Sequence, residues 1–112
     1  MPFKRGDVVL VPFPFAERLG AKKRPAVVVS SNTYNAACPD VVVAQITSRT
    51  TPAPRPGDHR VRDWRSAGLV VPSLVRARVA TLQSSIVVRR LGAMPFQDMA
   101  AVDKGLAAAL AL

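Results

Sequence analysis

The stretch "KKRPAVVVSSNTYNAACPDVVVAQITS", residues 22–48, decides how this chain folds. It holds two valine-rich runs, "AVVVS" (26–30) and "VVVAQITS" (41–48), separated by the polar connection "SNTYNAACPD". Both runs are short, β-branched and apolar at successive positions, the pattern of strands buried on both faces. If they pair antiparallel through the connection, the numbers of opposite residues sum to about 71. That register sets Arg24 opposite Thr47, at the end of the pair away from the connection. A slip of one residue exchanges Thr47 for Ser48, which faces the other side. An arginine fork beside a hydroxyl at a sheet end suits a phosphate. The same residues also read as a solvated basic loop (Lys22, Lys23, Arg24) and an ordinary β-branched strand residue, and spacing alone does not choose.

Outward from this pair, "VVLVPF" (8–13) is a strand preceded by the turn pair Gly6-Asp7. Residues 14–25, with Pro, Gly and clustered charge, form a loop, and "RTTPAPRPGDH" (49–59) forms a second, long one. "RVRDW" (60–64) alternates as an edge strand would. "SLVRARVATL" (73–82) places Leu74, Arg76, Arg78 and Ala80 on one face and Val75, Ala77, Val79 and Thr81 on the other. "SIVVRRLG" (85–92) is a short final strand. Residues 95–112 form a helix with Pro95 in its first turn and an apolar stripe of Met99, Val102, Leu106 and Leu110. Gly105 weakens that helix by about 1 kcal/mol relative to alanine. The expected architecture is mainly β with a C-terminal helix: a small, partly open barrel capped by the helix.

A chain of 112 residues has room for one domain and one modest core. Its net charge of +9 favours a polyanionic partner, nucleic acid or an acidic protein before an anionic membrane. One cysteine, Cys38, excludes an intramolecular disulfide, and one histidine, His59, leaves a histidine-ligated zinc site short of ligands. The opening "MPFKRGDVV" is charged and meets no long apolar core, and no apolar run spans a bilayer. A cytoplasmic protein is expected.

"RGDVVLVPF", then "RPAVVVSSNTYN", then "VVVAQITS", in that order and spacing, resembles the MazF/PemK family of toxin endoribonucleases. The likeness continues through "GLVVPSLVR", "ATL" and the terminal helix, and so covers most of the chain as a single domain of SH3-like, PemK-type barrel. It implies that Arg24, before Pro25, and Thr47, at the strand end, are catalytic. It also implies metal-free attack by a ribose 2′-hydroxyl on the adjacent phosphate of single-stranded RNA, giving a cyclic phosphate and a 5′-hydroxyl. A homodimer and an acidic antitoxin partner follow from the same resemblance, with no cofactor. Two departures stand out: "ERLGAKKRP" replaces a Glu-Gln-x-Gly stretch before Arg-Pro, and Ala80 replaces an arginine that many members carry.

Further candidates for RNA contact are Lys22, Lys23, Asn32, Ser48, Arg49, Ser73, Arg76 and Arg78. Arg76 and Arg78 would form a basic wall on one strand face, or merely its solvated side. Asn35 can meet substrate or serve a loop, Trp64 can stack a base or pack, and Arg60, Arg62 and Arg65 are general contacts. His59, in a proline-rich loop, reads as a surface histidine. Two other functions compete with a ribonuclease: a non-catalytic RNA-binding module and a gyrase-poisoning toxin on the same fold. The ending "LAAALAL" lacks the Trp-containing tail of the gyrase class.

Overall fold

The two valine runs pair as their pattern requires. In the computed structural model, which describes residues 2–12, 23–49 and 54–112, strand β2 (Lys23–Val28) lies antiparallel to β3 (Asp40–Thr47), with Ala26 opposite Gln45 and Val28 opposite Val43. The other strands are β1 (Asp7–Pro12), β4 (His59–Arg60), β5 (Leu74–Gln83) and β6 (Arg89–Ala93). Among the described residues they form one antiparallel six-stranded sheet in the order β4-β5-β3-β2-β1-β6, with β4 and β6 at its edges, so these strands make a partly open barrel.

Both faces of the central strands are buried, as the uninterrupted valines demand. Val8, Val27, Ala44, Ile46 and Val75 pack on one face with Val102 of the C-terminal helix. Val9, Val11, Ala26, Val28, Val41, Val43 and Leu82 pack on the other. Each fully buried valine contributes about 1.5–3 kcal/mol, so a charge at Val27 would break the sheet's centre.

The turn before β1 is built as its residues suggest: Gly6 takes φ +92°, and the Asp7 carboxylate accepts the Lys4 N–H at 2.9 Å. The polar connection is not a plain loop but contains a short helix, α1 (Asn32–Ala37), whose Ser31 hydroxyl caps the Tyr34 N–H. The expected edge strand at 60–64 shrinks to β4, and the chain then turns through 62–68. A 3₁₀ turn (Ser84–Ile86) delays the last strand to Arg89. Residues 14–22 of the expected first loop and residues 50–53 of the second fall outside the described residues.

Helix α2 (Phe96–Leu110) closes the first face, with Met99, Val102 and Leu106 on the core, while Leu110 of the expected stripe is 53% exposed. Gly105 has a packing reason. A Cβ there would stand 2.4 Å from the Gly57 carbonyl oxygen, so only glycine lets the helix cross this turn.

Candidate functional site

Arg24 and Pro25 belong to a strand, not to the loop before it. Val11 of β1 is opposite Arg24, and Leu10 is opposite Pro25. The β2–β3 ladder, by contrast, runs only from Val28↔Val43 to Ala26↔Gln45. Pro25 explains the stop. The Val28 carbonyl accepts from Gly6 N on the β1 side, and Val29 N donates to Val42 O on the β3 side. Alternation then points residues 25 and 27 at β3. At 25 proline has no N–H to give, so the ladder ends. Beyond it β2 stays on β1 through Lys23↔Pro12, and β3 stays on β5 through Thr47↔Leu74. Arg24 and Thr47, two steps beyond the last pair in register, therefore flank the open end between two strands that are each secured on their outer side.

The same alternation puts their side chains on one face. Arg24 is two and four residues before Ala26 and Val28, and Thr47 is four after Val43, all on the face away from α2. Gln45 lies between Val43 and Thr47 on that face. It is the one polar side chain in the run 41–46, a signal visible in the sequence itself. On β5 the register runs Ala44↔Val79 and then Ile46↔Val75, so Arg76, Ala77 and Arg78 together oppose Gln45 as a bulge. Val75 and Val79 face α2's side, and Ala80 and Leu82 the other. Arg76 and Arg78 thus share the face of Arg24, as their period-two spacing indicated.

The Thr47 hydroxyl oxygen accepts the Arg49 N–H at 3.1 Å. One lone pair is used, and the hydroxyl hydrogen remains to donate. Arg24 is partly buried, and no ion pair with another described residue engages it. Arg5, Arg76 and Arg90 are each tied to an aspartate, with Arg76 to Asp58 at 3.7 Å. Ser48, Arg49 and Arg78 are exposed around this end, and Lys23 is exposed at the start of β2. Lys22 lies outside the described residues.

The remaining candidates go elsewhere. Asn32 is beyond the opposite end of β2, where its side-chain oxygen accepts the Arg5 N–H at 2.7 Å. Asn35 is buried, donating to the Ser30 carbonyl at 3.1 Å and accepting from the Ser30 hydroxyl, which itself accepts Val42 N. It locks α1 to the sheet and has no face for substrate. Ser73 is buried, with its hydroxyl turned onto the Val71 carbonyl at 2.9 Å. Trp64 packs against the core, with the Arg65 guanidinium 4.4 Å from its ring centre.

His59 is not a surface histidine. It lies on β4 with its side chain 16% exposed, and its Nε2 is 2.7 Å from Asp98 Oδ1. Asp98 is buried in the first turn of α2 and also accepts the N–H groups of Arg62 and Asp63, at 2.8 and 3.1 Å. Burial alone would raise the Asp98 pKa. The Arg62 N–H, the His59 hydrogen bond, the Asp63 N–H and the His59 charge outweigh it and hold the carboxyl below its usual value. This cluster joins β4 to α2 and lies on the helix's side of the molecule. Among the described residues no group of three or more His, Cys, Asp or Glu is placed to hold a metal ion, and no helix is long and apolar enough to cross a membrane.

The pattern of the PemK-like, MazF-like toxins of type II toxin–antitoxin systems matches residues 4–110. A mycobacterial protein described as an endoribonuclease in complex with its cognate antitoxin superposes with a TM-score of 0.77 at 25% identity, over 98% of this chain and 96% of that one. MazF from Deinococcus radiodurans gives 0.77 at 25% identity, over 100% and 99%. MazF in the MazE–MazF complex of the same organism also gives 0.77, at 23% identity over 100% and 99%, a likeness of fold. At the level of sequence alone, no curated protein matches the chain.

Proposed function

Since the chain belongs to the PemK-like, MazF-like family of type II toxins, we propose that it is a metal-independent endoribonuclease acting on single-stranded RNA at the unzipped end between Arg24 and Thr47. The observation that carries this is the ladder stopping at Ala26↔Gln45, which leaves a cation and a hydroxyl on one sheet face beside a position, Pro25, that has no N–H to extend the pairing. In the reaction the ribose 2′-oxygen attacks phosphorus and the bond to the 5′-oxygen breaks. The products are a 2′,3′-cyclic phosphate and a 5′-hydroxyl. The proton lost from the 2′-oxygen is matched by the one gained by the leaving oxygen. Arg24 neutralises the charge that builds on the phosphorane, a role its permanent charge suits and proton transfer does not. Thr47 donates to the phosphate or relays the proton. Lys23, Ser48, Arg49, Arg76 and Arg78 hold the strand's neighbouring phosphates.

Control by a partner fits the same surface. The family and the antitoxin complexes of similar structures support an acidic antitoxin segment that folds on binding and sets carboxylates where phosphates would lie. The working species is a homodimer.

Incubation with a long mixed-sequence RNA in excess chelator tests the proposal. Fragments with 5′-hydroxyl ends are expected, and cutting that needs a divalent ion restored would overturn the metal-free mechanism. Affinity for RNA should fall steeply with salt as bound cations displace condensed counterions.

A further inference from the structure

Gln45 carries an unexplained feature. Its side-chain oxygen is the one buried side-chain polar atom among the described residues that has no hydrogen-bond partner. A native interior rarely keeps such an atom, because an unpaired acceptor loses its water and gains nothing. No described residue reaches this oxygen, although Thr47, Arg76 and Arg78 lie on the same face; Gln45 as a whole is only partly buried, so a turn of its side chain presents the oxygen at the site. Nor does folding need an amide there, since Ala26, Val28 and Val43, towards the interior of this face, are packed as apolar residues. A group that is costly to the empty protein and placed beside the candidate catalytic pair points to a ligand that completes it.

We propose that Gln45 selects the base beside the cleaved phosphate, its side-chain oxygen accepting a hydrogen bond from a base N–H of the bound RNA. This rests on the ribonuclease reading of Arg24 and Thr47. The spacing favours a base over the ribose. Gln45 is two residues from Thr47 along the strand, about 7 Å, towards the closed part of the ladder. The attacking 2′-hydroxyl adjoins its own phosphate and falls to the groups that hold that phosphate. The base projects further, and the planar amide matches an edge that offers N–H. A 2′-hydroxyl is also present at every nucleotide and would give no choice of sequence, whereas a buried acceptor penalises any base that brings only another acceptor.

The test uses the full-length protein and an RNA pool randomised around a single cut, with fragments sequenced for wild type and Gln45→Met. At one nucleotide the wild type should prefer the bases that turn an amino group to the facing edge, adenine or cytosine, over those that turn a carbonyl there, guanine or uracil. In Gln45→Met that preference should fall about tenfold or more, the scale of one unpaired buried group. Synthetic RNA carrying a base analogue without that N–H should cost the wild type a similar factor and leave Gln45→Met indifferent to the exchange. Gln45→Met should melt no lower than wild type, since the methionine has no orphaned oxygen. An unchanged preference in Gln45→Met overturns the proposal, as does a wild type that cuts without preference, while Arg24- and Thr47-dependent cutting would still uphold the ribonuclease. A lower melting temperature with unchanged preference would assign Gln45 to the fold alone. No cutting by wild type would remove the ribonuclease reading and this proposal with it.

Discussion

His59 and Asp98, separated by 39 residues in the chain, meet at 2.7 Å and join the edge strand β4 to the first turn of α2. The folded pKa of Asp98 is below its unfolded one. Its stabilisation is therefore complete above the unfolded value of about 3.9 and is lost as pH falls through the folded value. Asp98→Ala strands His59 and two backbone N–H groups and should cost about 3 kcal/mol at neutral pH. Chemical denaturation from pH 7 to pH 2 should show the wild type's advantage over Asp98→Ala shrinking in acid. A constant gap would rule out the carboxylate as its source.

Removing either half of the Arg24 and Thr47 pair should cripple cleavage without unfolding the chain. Arg24→Ala and Thr47→Ala should each slow turnover on the order of a hundredfold or more, the scale of a lost transition-state donor. His59→Ala should lower the melting temperature yet leave the cutting rate little changed below it. Fragment yields from one RNA decide this, and loss of cutting in folded His59→Ala would reverse the assignment of roles.

Pro25→Val returns an N–H to a strand position aimed at β3. The ladder can then extend to Ile46 and draw Arg24 towards Thr47. Stability should hold or rise, while cutting falls on the order of a hundredfold through misplacement alone. Amide exchange at residue 25 would report the added bond, and full activity with that amide protected would contradict the role given to the open ladder.

Gly105→Ala should destabilise the protein although alanine is the better helix former. The added carbon would stand 2.4 Å from a backbone oxygen of Gly57, and overpacking against main chain costs about 1–3 kcal/mol. Thermal unfolding measures it, and a gain in melting temperature would mean that the turn yields.

Charge reversal at Lys22 and Lys23 should weaken an acidic antitoxin segment more than it disturbs folding, since a surface charge such as that of exposed Lys23 adds little to stability. Calorimetric titration of that segment would show unchanged affinity if it binds elsewhere. Light scattering of the same samples should report a homodimer, and a lone 12.0 kDa particle would count against it.

Much of the architecture was legible in residues 22–48. Two uninterrupted valine runs need burial on both sides, and one antiparallel register follows from their spacing, which the Ala26↔Gln45 pair obeys. Local period likewise set Arg76 and Arg78 on one face of their own strand, and the pairing of β5 on β3 made it the face of Arg24. Those properties depend on neighbours along the chain, so a sequence carries them. What tertiary structure alone decided depends on contacts between distant segments. Asp98 turned a loop histidine into a buried tether, Ser30 took Asn35 into the interior, and Gly57 gave Gly105 its reason. The end of the ladder belongs to both. Pro25 is visible in the sequence, but only the placement of β1 and β5 keeps each strand secured while the space between Arg24 and Thr47 stays open.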